Sequence, residues 1–230
     1  MKQSFLIIFC FLTAYTTAQK HAYIPTYQNG DTSLWYKWQS TKYRKAGLRD
    51  MLFTSDSIRF RFSTEVEAVE IWTNDYIHFE GTYSIFTTSP DENSNGSQEK
   101  EKFYSGYWAL TADDAKKAYN LYESLGIASI KPQDSIKGWK SGFDGDIFIL
   151  EHSTPTSYSF KEYWTPSFFK DKISEAFLID SFSNSIQKAI RFSNRFFNFI
   201  STLPKGCYRV GSYIVTCNKV KAKRKRKSGG

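Results

Sequence analysis

Positions near the C-terminus recur at alternating steps of three and four. Ile179, Phe182, Ile186, Ala189, Ser193, Phe196, Ile200 and Leu203 form one stripe, and Ile190 and Phe197 widen it. That spacing predicts one long helix, stopped by Pro204 and Gly206. A repeat of 3.5 residues also suits a coiled coil. Phenylalanine is bulky for a seam, Ser193 is small, and few charges flank them, so a helix laid across a sheet is expected rather than a dimer zipper.

Earlier in the chain the period is two. Ile58, Phe60 and Phe62 alternate with Arg59 and Arg61, the pattern of a strand with one wet face. Val69 and Ile71 continue the alternation, Asn74-Asp75 supplies a turn, and Ile77, Phe79, Gly81, Tyr83 and Ile85 form a further inner face. His78 and Glu80, on the other side of that strand, are placed to lie across from Arg59 or Arg61 in an antiparallel ladder. A strand resumes over Phe103 to Leu110. Thr111 then reads as an N-cap with Asp113 and Asp114 in the first turn, and Ala115, Ala118, Tyr119, Tyr122 and Leu125 share one helical face that Gly126 ends. The unbroken apolar run Ile147 to Leu150 predicts a central strand covered on both faces, with Tyr158 to Trp164 as its hairpin partner. Pro166 sits just inside a helical start. Residues 20–50 are aromatic and polar with weak periodicity, and residues 127–145 read as irregular.

These elements predict an α+β fold: an antiparallel β-sheet packed against one long C-terminal helix and one shorter helix, ending in a disulfide-closed hairpin. The expected organisation is a signal peptide over 1–19, a single α+β domain over 20–218 and a disordered basic tail over 219–230. Lys2, the apolar stretch from Phe5 to Tyr15 and the small residues Thr16-Thr17-Ala18 carry the signal reading, and imply export to the periplasm or the extracellular space. The alternatives are an uncleaved N-terminal helix of the domain or a lipid anchor at Cys10, which lacks the expected small residues before it. No later segment approaches the ~20 apolar residues of a membrane span.

Export leaves Cys207 and Cys217, which flank two short strand-like runs meeting at Gly211-Ser212. A three-residue loop places the two cysteines opposite each other, whereas a two-residue loop slips them to different faces. An oxidising compartment favours a structural bridge, worth about 2–3 kcal/mol for so short a loop.

Charge changes the picture only at the ends. The formal net charge is +8. Lys219, Lys221, Lys223, Arg224, Lys225, Arg226 and Lys227, together with Lys2, account for all of it, so residues 3–218 balance. The tail is a candidate dock for an acidic polymer or membrane headgroups, and a solvated tail without a partner is the plain alternative.

Aromatic residues are abundant: 20 Phe, 15 Tyr and 6 Trp make 18% of the chain. Trp35, Tyr36, Trp38, Trp72, Trp108, Trp139 and Trp164 are candidates for stacking a sugar or peptide, and the 35–38 cluster stands out because no core periodicity explains it. Core packing and cross-strand pairing are the competing use.

Catalytic templates are sparse. Asp144, Glu151 and Glu162 are the candidate carboxylates for a hydrolase, Glu151 and Glu162 approaching across the hairpin. The alternative makes Asp144-Gly145 a tight turn and pairs Glu151 with Lys161. Gly145 and Glu151 have calcium-loop spacing, but Lys140 and Gly142 stand where oxygen ligands are required. His21, His78 and His152 lack metal-ligand spacing, so no metal and no cofactor is expected. Asn95-Gly96-Ser97 fits a glycosylation sequon.

Trp139-Lys140-Ser141-Gly142-Phe143-Asp144-Gly145, then Ile149-Leu150-Glu151, Tyr158 and Tyr163-Trp164-Thr165-Pro166, resembles a pattern in uncharacterised bacterial proteins. That pattern runs aspartate-glycine, apolar strand, leucine-glutamate, tyrosine, tryptophan-x-proline, and the resemblance spans residues 139–166. It implies a shared hairpin-and-helix unit with a sharp corner at Trp164-Thr165-Pro166, and no activity. The expectation is therefore an exported, non-enzymatic cell-envelope or secreted binding or accessory domain with a protein or glycan partner. An envelope hydrolase using the paired carboxylates is the alternative.

Overall fold

A computed structural model describes residues 20–27, 29–89, 102–142, 144–210 and 214–218. The expected signal segment, the Asn95 sequon and the basic tail from Lys219 onward lie outside the described residues. In chain order the elements are β1 (His21–Tyr23), α1 (Leu34–Lys45), β2 (Ile58–Ser63), β3 (Glu67–Thr73), β4 (Glu80–Ser89), β5 (Lys102–Ala109) and α2 (Ala112–Ser124). Then follow β6 (Ile147–Ser153), β7 (Ser157–Trp164), α3 (Pro166–Phe169), α4 (Ser174–Ile190), α5 (Phe192–Thr202), β8 (Gly206–Val210) and β9 (Ile214–Asn218).

Seven strands form one sheet in the order β1-β7-β6-β2-β3-β4-β5. Every neighbouring pair is antiparallel except β1 and β7, which run parallel with His21 opposite Ser157. The wholly antiparallel expectation is corrected at this edge, where three residues are too few to show a period. The predicted central strand is present, since β6 places Leu150 in the core on one face and Ile147 and Ile149 in a cluster on the other.

On one face Phe60, Phe62, Val69, Ile71, Tyr83 and Leu150 meet α2, α4 and α5. Phe60 stacks on Tyr122 with ring centroids 4.1 Å apart, and Phe182 packs edge-on against Phe62 at 5.4 Å. Such pairs each add about 0.5–1.5 kcal/mol beyond the area they bury. The Thr111 cap is present as expected, its side chain accepting the Asp114 backbone N–H at 3.1 Å.

The predicted long C-terminal helix is two. Arg191 takes a left-handed conformation, φ 58°, between α4 and α5. That single residue resets the phase of the stripe: Phe192, Phe196 and Ile200 enter the core, while Ser193 and Phe197 face solvent. The ring of Phe192 then lies 4.9 Å from Tyr83. A seam of 3.5 residues had hidden the break because Phe196 and Ile200 satisfy both registers.

The opposite face of the sheet is covered too, by α1. Ser33 caps this helix by accepting the Trp35 N–H at 3.2 Å. At the far end Leu48 N–H donates to the Tyr43 carbonyl and Gly47 N–H to Arg44, with Gly47 at φ 74°, a Schellman closure that favours glycine. Tyr36, Gln39 and Tyr43 turn inward. The expected wet face of β2 is therefore buried, and Arg59 and Arg61 are 2% and 1% exposed. Nor do they face His78 or Glu80: β2 lies between β3 and β6, and His78 sits in an exposed turn, bonded to Asp75 at 2.6 Å. Ile77, expected inside, is exposed in that turn, and β4 begins at Glu80.

The β8–β9 hairpin forms a separate two-stranded sheet, with Cys207 opposite Cys217 and the two joined in a disulfide. Val210 pairs with Ile214, and residues 211–213 between them lie outside the described residues. Thr87 donates to the Arg209 carbonyl at 2.6 Å and fastens the hairpin to β4.

Beneath the α4–α5 junction, Glu67 is buried and accepts the Tyr83 hydroxyl. Burial pushes this carboxyl up to about 7, and the Tyr83 bond only partly opposes it. Unfolded, Glu67 titrates near the ordinary carboxylate value, so the folded chain holds its proton over a range where the unfolded chain has released it. The stability from this group is full in acid and is lost as pH rises through 7. His152, which burial pushes down to about 4, acts with the opposite sign. Chemical denaturation of wild type and Glu67→Gln from pH 4 to 8 should show the variant gaining roughly 3 kcal/mol relative to wild type. Parallel curves would show that Glu67 titrates alike in both states.

Candidate functional site

Two arrangements occupy the space between α1 and the sheet, and they divide the sequence-predicted residues between them. The first is a closed ion network. The register sets Arg61 opposite Glu70 on β3 and opposite Glu151 on β6. Its guanidinium donates to Glu70 from Nε at 2.8 Å, to Glu151 from Nη1 at 2.8 Å and to the Arg49 carbonyl from Nη2 at 2.6 Å. Arg59 donates to Glu70 and, at 2.6 Å, to Asp56, and it lies 4.4 Å from the Trp72 ring centroid. The Tyr158 hydroxyl donates to the other oxygen of Glu151 at 2.8 Å, and the Tyr43 ring lies 4.3 Å from Arg61. Burial pushes the Glu151 carboxyl up, while the Arg61 charge and the Tyr158 hydroxyl pull it back. Both of its oxygens are engaged and its side chain is buried, so Glu151 is closed to a substrate.

The second arrangement is open. Trp35, Trp38, Thr41, Lys42 and Lys45 form one flank of α1, spaced so that they project from the same side of the helix. This flank borders two adjoining cavities, of about 240 and 440 Å3, that share Trp38 and Glu65. Together they make a groove along the end of the sheet.

The smaller cavity gathers Trp35, Trp38 and Trp164 with Glu162, Glu65 and Gln133. Trp35 and Trp38 meet edge to face at 5.7 Å, and Trp38 remains 60% exposed. Trp164 is held from several sides. Its backbone N–H is donated to Gln133, whose amide donates in turn to Ser141 at 2.8 Å. Its carbonyl accepts the Trp139 indole N–H at 2.9 Å. A Cβ on Gly142 would come within 2.5 Å of the Trp164 ring, and one on Gly145 within 2.0 Å of the Thr165 hydroxyl. The expected corner at Trp164-Thr165-Pro166 is thus a close-packed joint. Glu162 accepts the Ser33 hydroxyl at 3.1 Å, and burial raises its carboxyl, with the Ser33 bond in partial opposition.

The larger cavity holds Lys42, Lys45 and Arg209 beside Phe86, Phe103, Thr87 and Thr88. Lys42 donates to the Glu65 carbonyl at 3.1 Å and stands 5.7 Å from the Trp38 ring centroid. Burial lowers its pKa, with the Glu65 charge opposing. Lys45 stands 5.9 Å from the Phe103 ring centroid.

Of the residues proposed from the sequence, Trp35, Trp38, Trp164 and Glu162 come together in the groove. Tyr36 turns inward, edge-on to Phe160 at 5.1 Å. Trp139 is 6% exposed and packs between Tyr163 and Phe169, supporting Trp164 from behind. Trp108 packs against Tyr83 and Phe199. The carboxylates do not converge: Asp144 is exposed on its loop, Glu151 is locked to Arg61, and Glu162 faces the groove. The alternative partner for Glu151 also fails, because Lys161 points to the other face and donates to the Ala128 and Ile130 carbonyls at 2.8 and 2.7 Å. Lys42, Lys45, Glu65, Gln133 and Arg209 were not proposed from the sequence. The signal for the lysines was the spacing 35, 38, 42, 45 between a serine cap and a glycine stop. Nothing local marks Glu65, Gln133 or Arg209. Among the described residues no group of three or more His, Cys, Asp or Glu is placed to hold a metal ion.

Comparison of the chain with family models, curated proteins and solved structures gave no match.

Two substitutions separate the arrangements. Glu151→Gln should lower stability by about 2 kcal/mol or more, because Arg61 loses one of its two buried carboxylate partners, and urea denaturation reads this directly. Gly145→Ala should displace the Trp164 indole from its seat and shift tryptophan emission with a smaller stability loss. Unchanged emission would show that Trp164 does not depend on this joint.

Proposed function

We propose that this chain is an exported, non-enzymatic binding domain of the cell envelope or extracellular space, and that its ligand is a saccharide chain lying in the α1 groove. The observation that carries this reading is the gathering of three indoles with carboxylate, amide and hydroxyl groups along one open wall. Flat apolar rings stack against the C–H faces of sugars, and the polar groups beside them fix hydroxyls. The Cys207–Cys217 bridge is compatible with an oxidising compartment, and no helix among the described residues is long and apolar enough to cross a membrane. The basic tail from Lys219 to Lys227 would add charge-dependent attachment to acidic polymers or headgroups.

One observation favours the hydrolase reading: Glu162 and Glu65 both border the small cavity, and burial raises Glu162. Against it, Glu162 is engaged by the cap of α1, and the other two proposed carboxylates lie elsewhere.

Titration of the mature chain with a panel of neutral cell-wall and storage oligosaccharides, read by tryptophan emission, tests the binding reading. Quenching that is lost in Trp38→Ala and retained in Glu162→Gln is the expected result. Release of reducing ends by wild type but not Glu162→Gln would replace it with the hydrolase. Removal of residues 219–230 should weaken any salt-sensitive attachment to acidic polymers and leave the tryptophan response intact.

A further inference from the structure

We infer that the saccharide carries an anionic group and that the larger cavity, beside Lys42 and Lys45, receives it. This inference rests on the binding reading above and names the substrate class for the same groove. Three cationic side chains border that cavity, Lys42, Lys45 and Arg209, against one carboxylate, Glu65, among the described residues. An excess of positive charge gathered in one concavity raises the local concentration of anions.

The chemistry of the wall points the same way. Lys42 is a partly buried ammonium whose only described hydrogen-bond acceptor is the Glu65 carbonyl, and burial disfavours its charge. An anion entering the cavity would supply a charged acceptor where a neutral one now stands, and charge-assisted bonds are the stronger kind. Thr88 and Thr41 border the same space with hydroxyl groups. Trp38 borders both cavities and is mostly exposed, so a sugar ring against its indole would direct a ring substituent toward Lys42. At about 440 Å3 the cavity lies within the range that small-ligand sites occupy. Carboxylate and sulfate share this chemistry, and the test separates them.

Three probes suffice with the full chain at fixed ionic strength: oligogalacturonate, the same oligomer fully methyl-esterified, and heparin-derived oligosaccharides. The ester keeps the rings and removes the charge. The expected result is that at least one charged probe quenches tryptophan emission with an affinity about tenfold or more above the ester. That advantage should disappear in Lys42→Met and diminish in Lys45→Gln, an exposed position that keeps the fold. Both variants retain the basic tail, so attachment of a charged probe to it is common to wild type and variants, and the affinity lost between them reads the cavity. Equal binding of acid and ester, or an advantage that survives both substitutions, overturns the inference and leaves the saccharide reading standing. Equal binding is also the result expected if carboxylates of the chain itself fill the cavity. If no probe quenches while a neutral oligosaccharide does, the inference again falls alone; if nothing quenches, both readings fall.

Discussion

A guanidinium with almost no contact with solvent constrains everything on the α1 side of this sheet. Arg61 sits on the middle strand of seven and must find acceptors without water. An unpaired charge there would cost several kcal/mol, so the neighbouring strands have to deliver carboxylates in register. They do so from both sides, Glu70 on β3 and Glu151 on β6. A slip of one residue in either strand would turn its carboxylate to the opposite face and take one of the two partners from Arg61. The ion network thereby specifies the pairing of three central strands more sharply than apolar contacts would.

The same charge also requires a lid. Tyr43 covers Arg61 from α1, and Tyr158 closes the outer side of Glu151. Helix α1 is thus held in place by a polar interior, flanked by the apolar clusters around Phe160 and Phe86. Once its inner side is committed to Tyr36, Gln39 and Tyr43, its geometry leaves a second side free. That side carries the tryptophans and lysines of the groove. Structure and candidate function are therefore two faces of one helix, and the residues best placed for chemistry by sequence, above all Glu151, belong to the structural face.

The candidate site was partly legible. The tryptophans at 35 and 38 stood out because no core pattern absorbed them, and the structure leaves them beside open space. Trp164 was visible as a corner residue beside Pro166. Trp139 was misleading: an indole N–H satisfied by a backbone carbonyl is a buried support, and only the bond to Trp164 reveals it. Glu65 and Gln133 arrive from separate turns, and Arg209 from a hairpin more than 140 residues away. No local period can announce residues that meet only through folding.

The features legible along the chain were local ones. Alternation at Ile58, Phe60 and Phe62 specified β2, the Thr111 cap and Gly126 specified α2, and the cysteine spacing was consistent with a closed hairpin. Each depends on bonds or periods within a few residues. The tertiary structure decided which face of the sheet was wet, where the C-terminal helix broke and what each charge would meet. Arg59 and Arg61 read as solvent residues because their neighbours in the chain are apolar. They are buried because α1, from a stretch with little period of its own, lies over them. The physical reason is that burial of a charge depends on partners brought from other strands. Those partners are set by register and packing, which no segment carries alone.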